Sequence, residues 1–354
     1  MRILYITRAN LCLRRAHSHN ILATAALLGA IPGTSVELVS CGRQSCSIEE
    51  MLKRHDVDGK ISFQKSVWLA GRILRNRKTF DVLYVRDPRL ILEMTLARLL
   101  GKKVIFEIHG SREWSGLLWL WRFAHKIASA HIFITKNLEK EYSLSAKPRA
   151  VISCYGVDLE RFSAKPALLR EKFNIGESAF LALYLGSSER YYDIKILIDM
   201  LLYTPSDVVL LVAGLKDADK KKFMDYARAR GLEERARFAG RIDYRDVPSY
   251  LRAADMLVNP KVRGFAGSIS AKLYDYLAAG KAIVASTVPA DLEVLSKENA
   301  LFVEPTPHGF ARAIKYLFET PSERERLAAR ALRDAQNYAN VVRGAAFSVF
   351  LSKL

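Results

Sequence analysis

Cysteine is scarce in this chain: Cys12, Cys41, Cys46 and Cys154 are its 4 cysteines among 354 residues, with no C-x-x-C pair and no histidine at metal-ligand spacing. Reduced thiols are therefore expected, rather than disulfide bridges or a metal site. There is also no run of about 20 residues free of charge, proline and polar interruption. The opening MRILYIT lacks the basic-then-apolar layout of a signal peptide, so the chain reads as cytoplasmic and without a membrane span. No strand-like run leads into G-x-G-x-x-G or G-x-x-x-x-G-K-[ST], which removes most support for a dinucleotide-dependent dehydrogenase or a P-loop enzyme. Negative charge is short as well: 37 Asp and Glu stand against 55 Lys and Arg, for a net charge of +18. Residues 1–165 hold 27 of the cations and only 14 of the acids, so the first half carries +13 of that excess. Such a half suits a nucleic acid, an anionic membrane surface or a phosphorylated ligand. The basic residues are not interleaved with stacking aromatics and carry no reading motif, so nucleic acid is not expected as a partner.

What the chain has in quantity is short apolar runs alternating with longer segments of helical period, the pattern of parallel sheets with crossover helices. RILYIT (2–7), SVELVSC (35–41), DVLYVR (81–86), KVIFEIHG (103–110), HIFIT (131–135) and AVISC (150–154) form one set. FLALYLGS (180–187), VVLLVAG (208–214), ARFAGRI (236–242), DMLVNP (255–260), AIVAS (282–286) and LFVEP (301–305) form a second. The expected architecture is α/β, with two doubly wound Rossmann-like domains. The first spans residues 1–165 and the second 166–335, and a last helical segment, 336–354, packs back on the first. Ligands of open parallel sheets sit beyond the carboxyl ends of the strands, so residues just after each strand are the ones to inspect.

One such stretch is SAKLYDYLAAGK, residues 270–281. Ser268 and Ser270 stand where a helix could begin, Lys272 lies in its first turn, and Gly280 suits a left-handed C′ position. Lys272, with unpaired N–H groups beside it, would attract a phosphate or pyrophosphate. Asp275, one turn further on the same face, could accept bonds from a pair of sugar hydroxyls. An exposed Lys–Asp pair on an ordinary amphipathic helix fits the same spacing.

The run ARFAGRIDYRDVPSYLRAADMLVNP, followed by SAKLYDYLAAGKAIVASTVPADLEVLSKENALFVEP, resembles the donor-binding half of GT-B glycosyltransferases, specifically the retaining family 4. AVISCYGVDLERF, RRAHSHNIL, DVLYVRDPRL and KKVIFEIHG resemble further segments of that family in the same order. The resemblance implies two Rossmann-like domains facing across a cleft, with a UDP- or GDP-activated sugar held by the second and an acceptor by the first. It further implies no metal and no cofactor beyond the donor, with cations neutralising the leaving pyrophosphate. The expected reaction is transfer, with retention, to a glycan or lipid-linked acceptor in cell-surface polysaccharide assembly. A catalytically silent GT-B subunit that binds a partner or glycan is the alternative.

Carried over residue by residue, the family's sugar-contacting and ribose-contacting Glu residues fall on Gly267 and Asp275. The Arg and Lys that meet the pyrophosphate after the first strand of the second domain fall on Ser187 and Tyr192, within LGSSERYYDIKILID. The remaining donor-site candidates are Gly186, Arg190 and Arg241, with Ser268, Ser270 and Lys272. Lys261 and Arg263 are further cations near the site, and Lys195 is one that could face away. In the first half, His109 is the candidate catalytic residue at the donor sugar, and Glu107 is expected to be structural. Arg14, Arg15 and His17, with Ser18 and Asn20 beside them, replace a Gly-rich loop and could meet an anionic acceptor. In SREWSGLLWLWRFAHKIASAH (111–131), Trp114, Leu117, Trp121, Ala124 and Ala128 form a core stripe. Trp119 shares the other side with Ser115, Arg122 and Lys126, an arrangement that suits a headgroup layer as well as a ring packed on an Arg stem. Peripheral attachment to the inner face of the plasma membrane is the corresponding expectation.

Overall fold

A computed structural model describes every residue except 14, 111–117, 143–146, 164, 167 and 264–268. It divides into two compact units, Met1–Gly156 with Asn340–Leu354, and Val157–Ala339.

The first unit is built on seven strands: β1 (Arg2–Thr7), β2 (Ser35–Ser40), β3 (Ser62–Lys65), β4 (Val82–Val85), β5 (Lys103–Ile108), β6 (Ala130–Phe133) and β7 (Arg149–Val151). Their order across the sheet is β3-β2-β1-β4-β5-β6-β7, every pairing parallel. The inner strands are continuous apolar runs because helices cover both faces of such a sheet. Strand β3 has the sequence SFQK and no fully buried residue, an edge strand without the apolar run that marks the inner ones.

Six parallel strands make the second unit: β8 (Phe180–Leu185), β9 (Val208–Ala213), β10 (Ala236–Phe238), β11 (Met256–Asn259), β12 (Ala282–Ser286) and β13 (Ala300–Val303), in the order β10-β9-β8-β11-β12-β13. Strands β8 and β11 are neighbours at the centre, where the strand order reverses. The carboxyl ends of the strands around that point are where a doubly wound sheet receives its ligand.

The final helix, Asn340–Leu351, returns to the first unit and packs beside the helix Ala16–Gly29. Phe347, Phe350 and Leu351 enter the first unit's core. Arg343, buried in the same contact, donates to the Ser153 carbonyl at 2.7 Å and to Thr24 Oγ1 at 2.7 Å. No described helix is long and apolar enough to cross a membrane.

One expectation is overturned. Cys12 and Cys46 form a disulfide, with Cα atoms 5.9 Å apart, while Cys41 and Cys154 are free. The bridge joins the loop after β1 to the loop after β2, so the partners become neighbours only through parallel strand pairing, which spacing along the chain does not display.

Candidate functional site

In the second unit, β8 ends in Tyr184 and Leu185, with Gly186 just beyond, and β11 ends in Asn259. The helix Lys272–Ala278 follows β11 and carries both Lys272 and Asp275. Gly280 closes that helix with φ of 60°, the left-handed conformation expected of it. The start differs from expectation. Ser270 does not cap the helix: its hydroxyl pairs with the Tyr192 hydroxyl at 2.9 Å, and its N–H donates to Asp291 Oδ1 at 3.2 Å.

Asp291 lies beyond β12, wholly buried, and organises the floor of the site. Lys261 Nζ donates to its Oδ1 at 2.8 Å and Asn259 Nδ2 to its Oδ2 at 2.9 Å. This carboxylate has an ammonium and two N–H donors as partners, the full set that a buried charge requires. Lys261 is thereby committed to the ion pair rather than to a ligand.

Lys272 is different. Its Nζ is buried and has no hydrogen-bond partner among the described residues. It sits over the faces of two tyrosines, 3.9 Å from the Tyr184 ring centroid and 3.6 Å from that of Tyr192. Both rings are pinned through their own hydroxyls, Tyr192 by Ser270 and Tyr184 by donation to the Ser187 carbonyl at 2.5 Å. The amine also lies against Gly186, where a Cβ would come within 2.7 Å of Nζ. Only glycine permits that approach. Two aromatic faces contribute about 2 kcal/mol each to a desolvated cation. Against this, burying an ammonium costs several kcal/mol, about 3 to 5 where no counter-charge is left to it. The two magnitudes are of the same size, so the rings alone do not secure the charged form. Burial, and after it the charge of Lys261, hold Lys272 well below the usual lysine range, with Asp291 opposing.

Asp275 is half-buried, and its carboxyl makes no hydrogen bond or ion pair with a described residue. Burial raises it to about 7, with the Arg161 guanidinium pulling the other way. Arg161 itself is stacked over Tyr244 at 4.7 Å and donates to the Tyr244 carbonyl at 2.8 Å.

Of the other cations named from the sequence, Arg190 and Arg241 are exposed. Lys195 lies over the Tyr226 ring at 4.8 Å, and Arg263 pairs with Glu304. Gly267 and Ser268 lie outside the described residues.

The first unit holds a separate polar cluster at the carboxyl ends of β4 and β5. Glu107, fully buried on β5, accepts from the Tyr84 hydroxyl at 2.7 Å and lies 3.5 Å from Arg86 Nε. Burial alone would raise its carboxyl, but Arg86, and next His109, hold it well below the usual carboxylate range. Arg86 donates to Asn20 Oδ1 at 3.2 Å and to His109 Nδ1 at 3.0 Å. Acceptance at Nδ1 leaves the ring proton of a neutral His109 on Nε2, 2.9 Å from Glu107 Oε1. Burial, and then Arg86, lower the His109 imidazole, so the neutral form is the resident one. Its side chain keeps 25% of its surface exposed. Arg15 and His17 are exposed at the start of the helix Ala16–Gly29, and Arg14 lies outside the described residues. Ser18 donates to the Asn10 carbonyl at 3.0 Å.

On the helix Leu118–Ile127, Trp121 and Ala124 are buried as expected, and so is Ala128 just beyond it. Trp119 is 57% exposed and meets Phe123 edge-on at 6.4 Å, with Arg122 and Lys126 exposed on the same helix. Trp114, Ser115 and Leu117 lie outside the described residues. Sequence reasoning missed Arg86, Tyr184 and Asp291, and gave Tyr192 no role. The signal for Asp291 was an acid just beyond a strand end, in TVPAD; Tyr184 lies inside the apolar run FLALYLGS, where nothing marks it out.

Residues 167–334 match the family described as glycosyl transferases group 1. No curated protein matches the sequence. Among solved structures, HepE from Anabaena in complex with UDP aligns over 100% of both chains with a TM-score of 0.82 and 17% identity; the same protein has been solved with UDP-glucose. A glycosyltransferase from Rickettsia africae gives a TM-score of 0.77 at 14% identity, over 99% of this chain and 98% of that one. The apo form of the lipopolysaccharide outer core galactosyltransferase WaaB gives 0.72 at 15% identity over 100% of both. At such identities the likeness establishes a shared GT-B fold.

Proposed function

From the match of residues 167–334 to the glycosyl transferases group 1 family, together with the GT-B fold, we propose that this chain is a glycosyltransferase that carries out the following reaction. The enzyme transfers a sugar, with retention and without a metal, from a UDP- or GDP-sugar to a glycan or lipid-linked acceptor in cell-surface polysaccharide assembly. The second unit holds the donor and the first the acceptor. The observation that carries this reading is the pair on one short helix: among the described residues, Lys272 is a buried amine without a hydrogen-bond partner and Asp275 a carboxyl without one. Polar groups left unsatisfied in a folded protein are costly unless a ligand completes them. Lys272 meets the pyrophosphate, where the negative charge develops as the sugar departs. Asp275 accepts from the ribose hydroxyls. HepE, solved with UDP and with UDP-glucose, supports a uridine nucleotide as the first donor to try.

In the first unit, His109 in its neutral form is the group assigned to the reacting sugar, held by Arg86 and Glu107. Arg14, Arg15 and His17 are assigned to an anionic portion of the acceptor. Trp119, Arg122 and Lys126 attach the protein to an anionic membrane surface at the inner face of the plasma membrane, and Phe123 extends their apolar side. WaaB, a lipopolysaccharide outer core galactosyltransferase, supports an acceptor of that general class.

The test is release of UDP or GDP from a panel of nucleotide sugars. Turnover by the parent and its loss in both Lys272→Ala and Asp275→Ala is the expected result. A second reading, a silent subunit that binds a partner or glycan, is favoured by Ser187 and Tyr192 standing where the family carries cations. No turnover, together with no thermal shift in UDP, GDP or any nucleotide sugar, would establish it instead.

A further inference from the structure

We propose that before the donor arrives Lys272 is held as an unprotonated amine, and that a nucleoside diphosphate binds with uptake of one proton by that side chain. This rests on the donor-site reading given above and adds to it the charge state in which the site waits.

The amine is enclosed by rings whose oxygens are turned to other partners. The Tyr192 hydroxyl is with Ser270, and that of Tyr184 is with the Ser187 carbonyl. The Asp291 carboxylate beyond β12 already has Lys261, Asn259 and the Ser270 N–H. Among the described residues, the further ionisable groups beside these two rings are Glu189 and Tyr191 in the loop after β8 and Tyr276, which Asp275 neighbours, on the helix of Lys272. Burial raises the four tyrosines Tyr184, Tyr191, Tyr192 and Tyr276, which keeps them neutral. Lys261 and Asp291 offset one another. Among the described residues nothing in this shell accepts an N–H from Lys272, and no unspent carboxylate meets it, so the uncharged amine is the form that the surroundings suit. Burial, and secondarily Lys261, act in the same direction.

A diphosphate reverses both conditions, since it brings acceptor oxygens and negative charge to the same point. The Nζ lone pair then takes a proton from the solvent buffer to become an ammonium, and no other bond changes. The tyrosine rings, which favour a cation over their faces, assist the charged form once the diphosphate has supplied its counter-charge. Donor recognition therefore includes a protonation step, and an uncharged ligand of similar shape would not trigger it.

The experiment is calorimetric titration with UDP at pH 8, and with GDP if UDP does not bind, in two buffers of different ionisation enthalpy. At that pH the carboxyl of Asp275 and the terminal phosphate, whose pKa is about 6, are already ionised. Lys272 is then the group left to take a proton. About one proton should be taken up per nucleotide, and the affinity should weaken close to tenfold between pH 8 and pH 9. Lys272→Arg, which stays charged throughout, should bind with almost no uptake and no such slope. Tyr192→Ala, which admits water to the amine, should show a smaller uptake than the parent. Binding by the parent with uptake near zero and a flat affinity from pH 8 to 9 would overturn this inference and leave the donor site standing, as would full uptake in Lys272→Arg. Failure of both nucleotides to bind would overturn the donor-site reading itself.

Discussion

Asp275 should be a residue that the fold would be better without. Burial raises its carboxyl from the ordinary value of 3.8 to about 7. A raised acid stabilises the folded state fully below its unfolded pKa of about 3.9 and loses that contribution as pH rises, until it is gone above the folded value. The loss spans roughly three pH units, or about 4 kcal/mol at 1.36 kcal/mol per unit. The amide of an Asp275→Asn variant is uncharged and of the same shape as the protonated acid, so this variant should match the parent near pH 4. It should exceed the parent by up to about 4 kcal/mol at pH 8, where the parent carries a carboxylate in a poorly hydrated place. Urea unfolding at pH 4, 6 and 8 reads the difference directly, and the gap should open steadily with pH. The same substitution should weaken UDP binding at pH 8 by tenfold or more, because a neutral amide accepts from a diol less strongly than a carboxylate. Stability gained where function is lost is the signature of a group kept for its ligand. A variant less stable than the parent at pH 8, or a gap that does not change with pH, would refute the reasoning and make Asp275 an ordinary structural acid.

Other perturbations separate the remaining roles. Reducing the Cys12–Cys46 bridge, or replacing both residues by serine, should cost about 4 kcal/mol in urea unfolding, the chain entropy of a loop with a sequence separation of 34. No change on reduction would mean that the thiols are not paired in solution. Arg343→Met should lower stability by about 2 to 5 kcal/mol, because it leaves the Ser153 carbonyl and the Thr24 hydroxyl buried without their donor; a thermal shift under one degree would exclude that anchoring role. Gly186→Ala puts a methyl group within 2.7 Å of the Lys272 amine on a backbone with φ of 157°, so it should lower the unfolding midpoint as well as raise the UDP dissociation constant at least tenfold. Binding to anionic vesicles should fall with salt and drop further in a Trp119→Ala, Arg122→Ala double variant. Indifference to salt and to lipid charge would remove the membrane assignment.

Much of the fold was legible because a buried parallel strand must be a continuous apolar run, and twelve of the thirteen strands overlap such a run. The exception, SFQK at β3, lies at the sheet edge with neither end nor centre fully buried, so no periodic signal survives in it. The bridge between Cys12 and Cys46 escaped because it follows from the parallel pairing of β1 with β2, a relation of space rather than of spacing. The same holds for Arg86, which reads as a charge after a strand until Tyr84, Glu107 and His109 are seen around it.

At the candidate donor site the division is sharper. Lys272 and Asp275 can be singled out from helical spacing alone, since one turn puts them on one face. Their ionisation states cannot, because Lys272 answers to Tyr184, Tyr192, Lys261 and Asp291, which come from other segments of the chain. Tyr192 illustrates what is lost. Read along the sequence it is a missing cation, the absence of a family feature. In the fold it is one wall of the enclosure around the amine that remains. Its ring excludes water, and its hydroxyl fixes Ser270, whose N–H in turn belongs to the Asp291 network. A second cation at this position would repel Lys272 and depress it further, whereas an aromatic face favours the amine's charged form once a diphosphate arrives. Tyr192→Lys is therefore not a restoration. It should bind UDP more weakly than Tyr192→Phe, which keeps the face and loses only the hydroxyl, and the reverse order would show that the site needs charge at this position rather than enclosure.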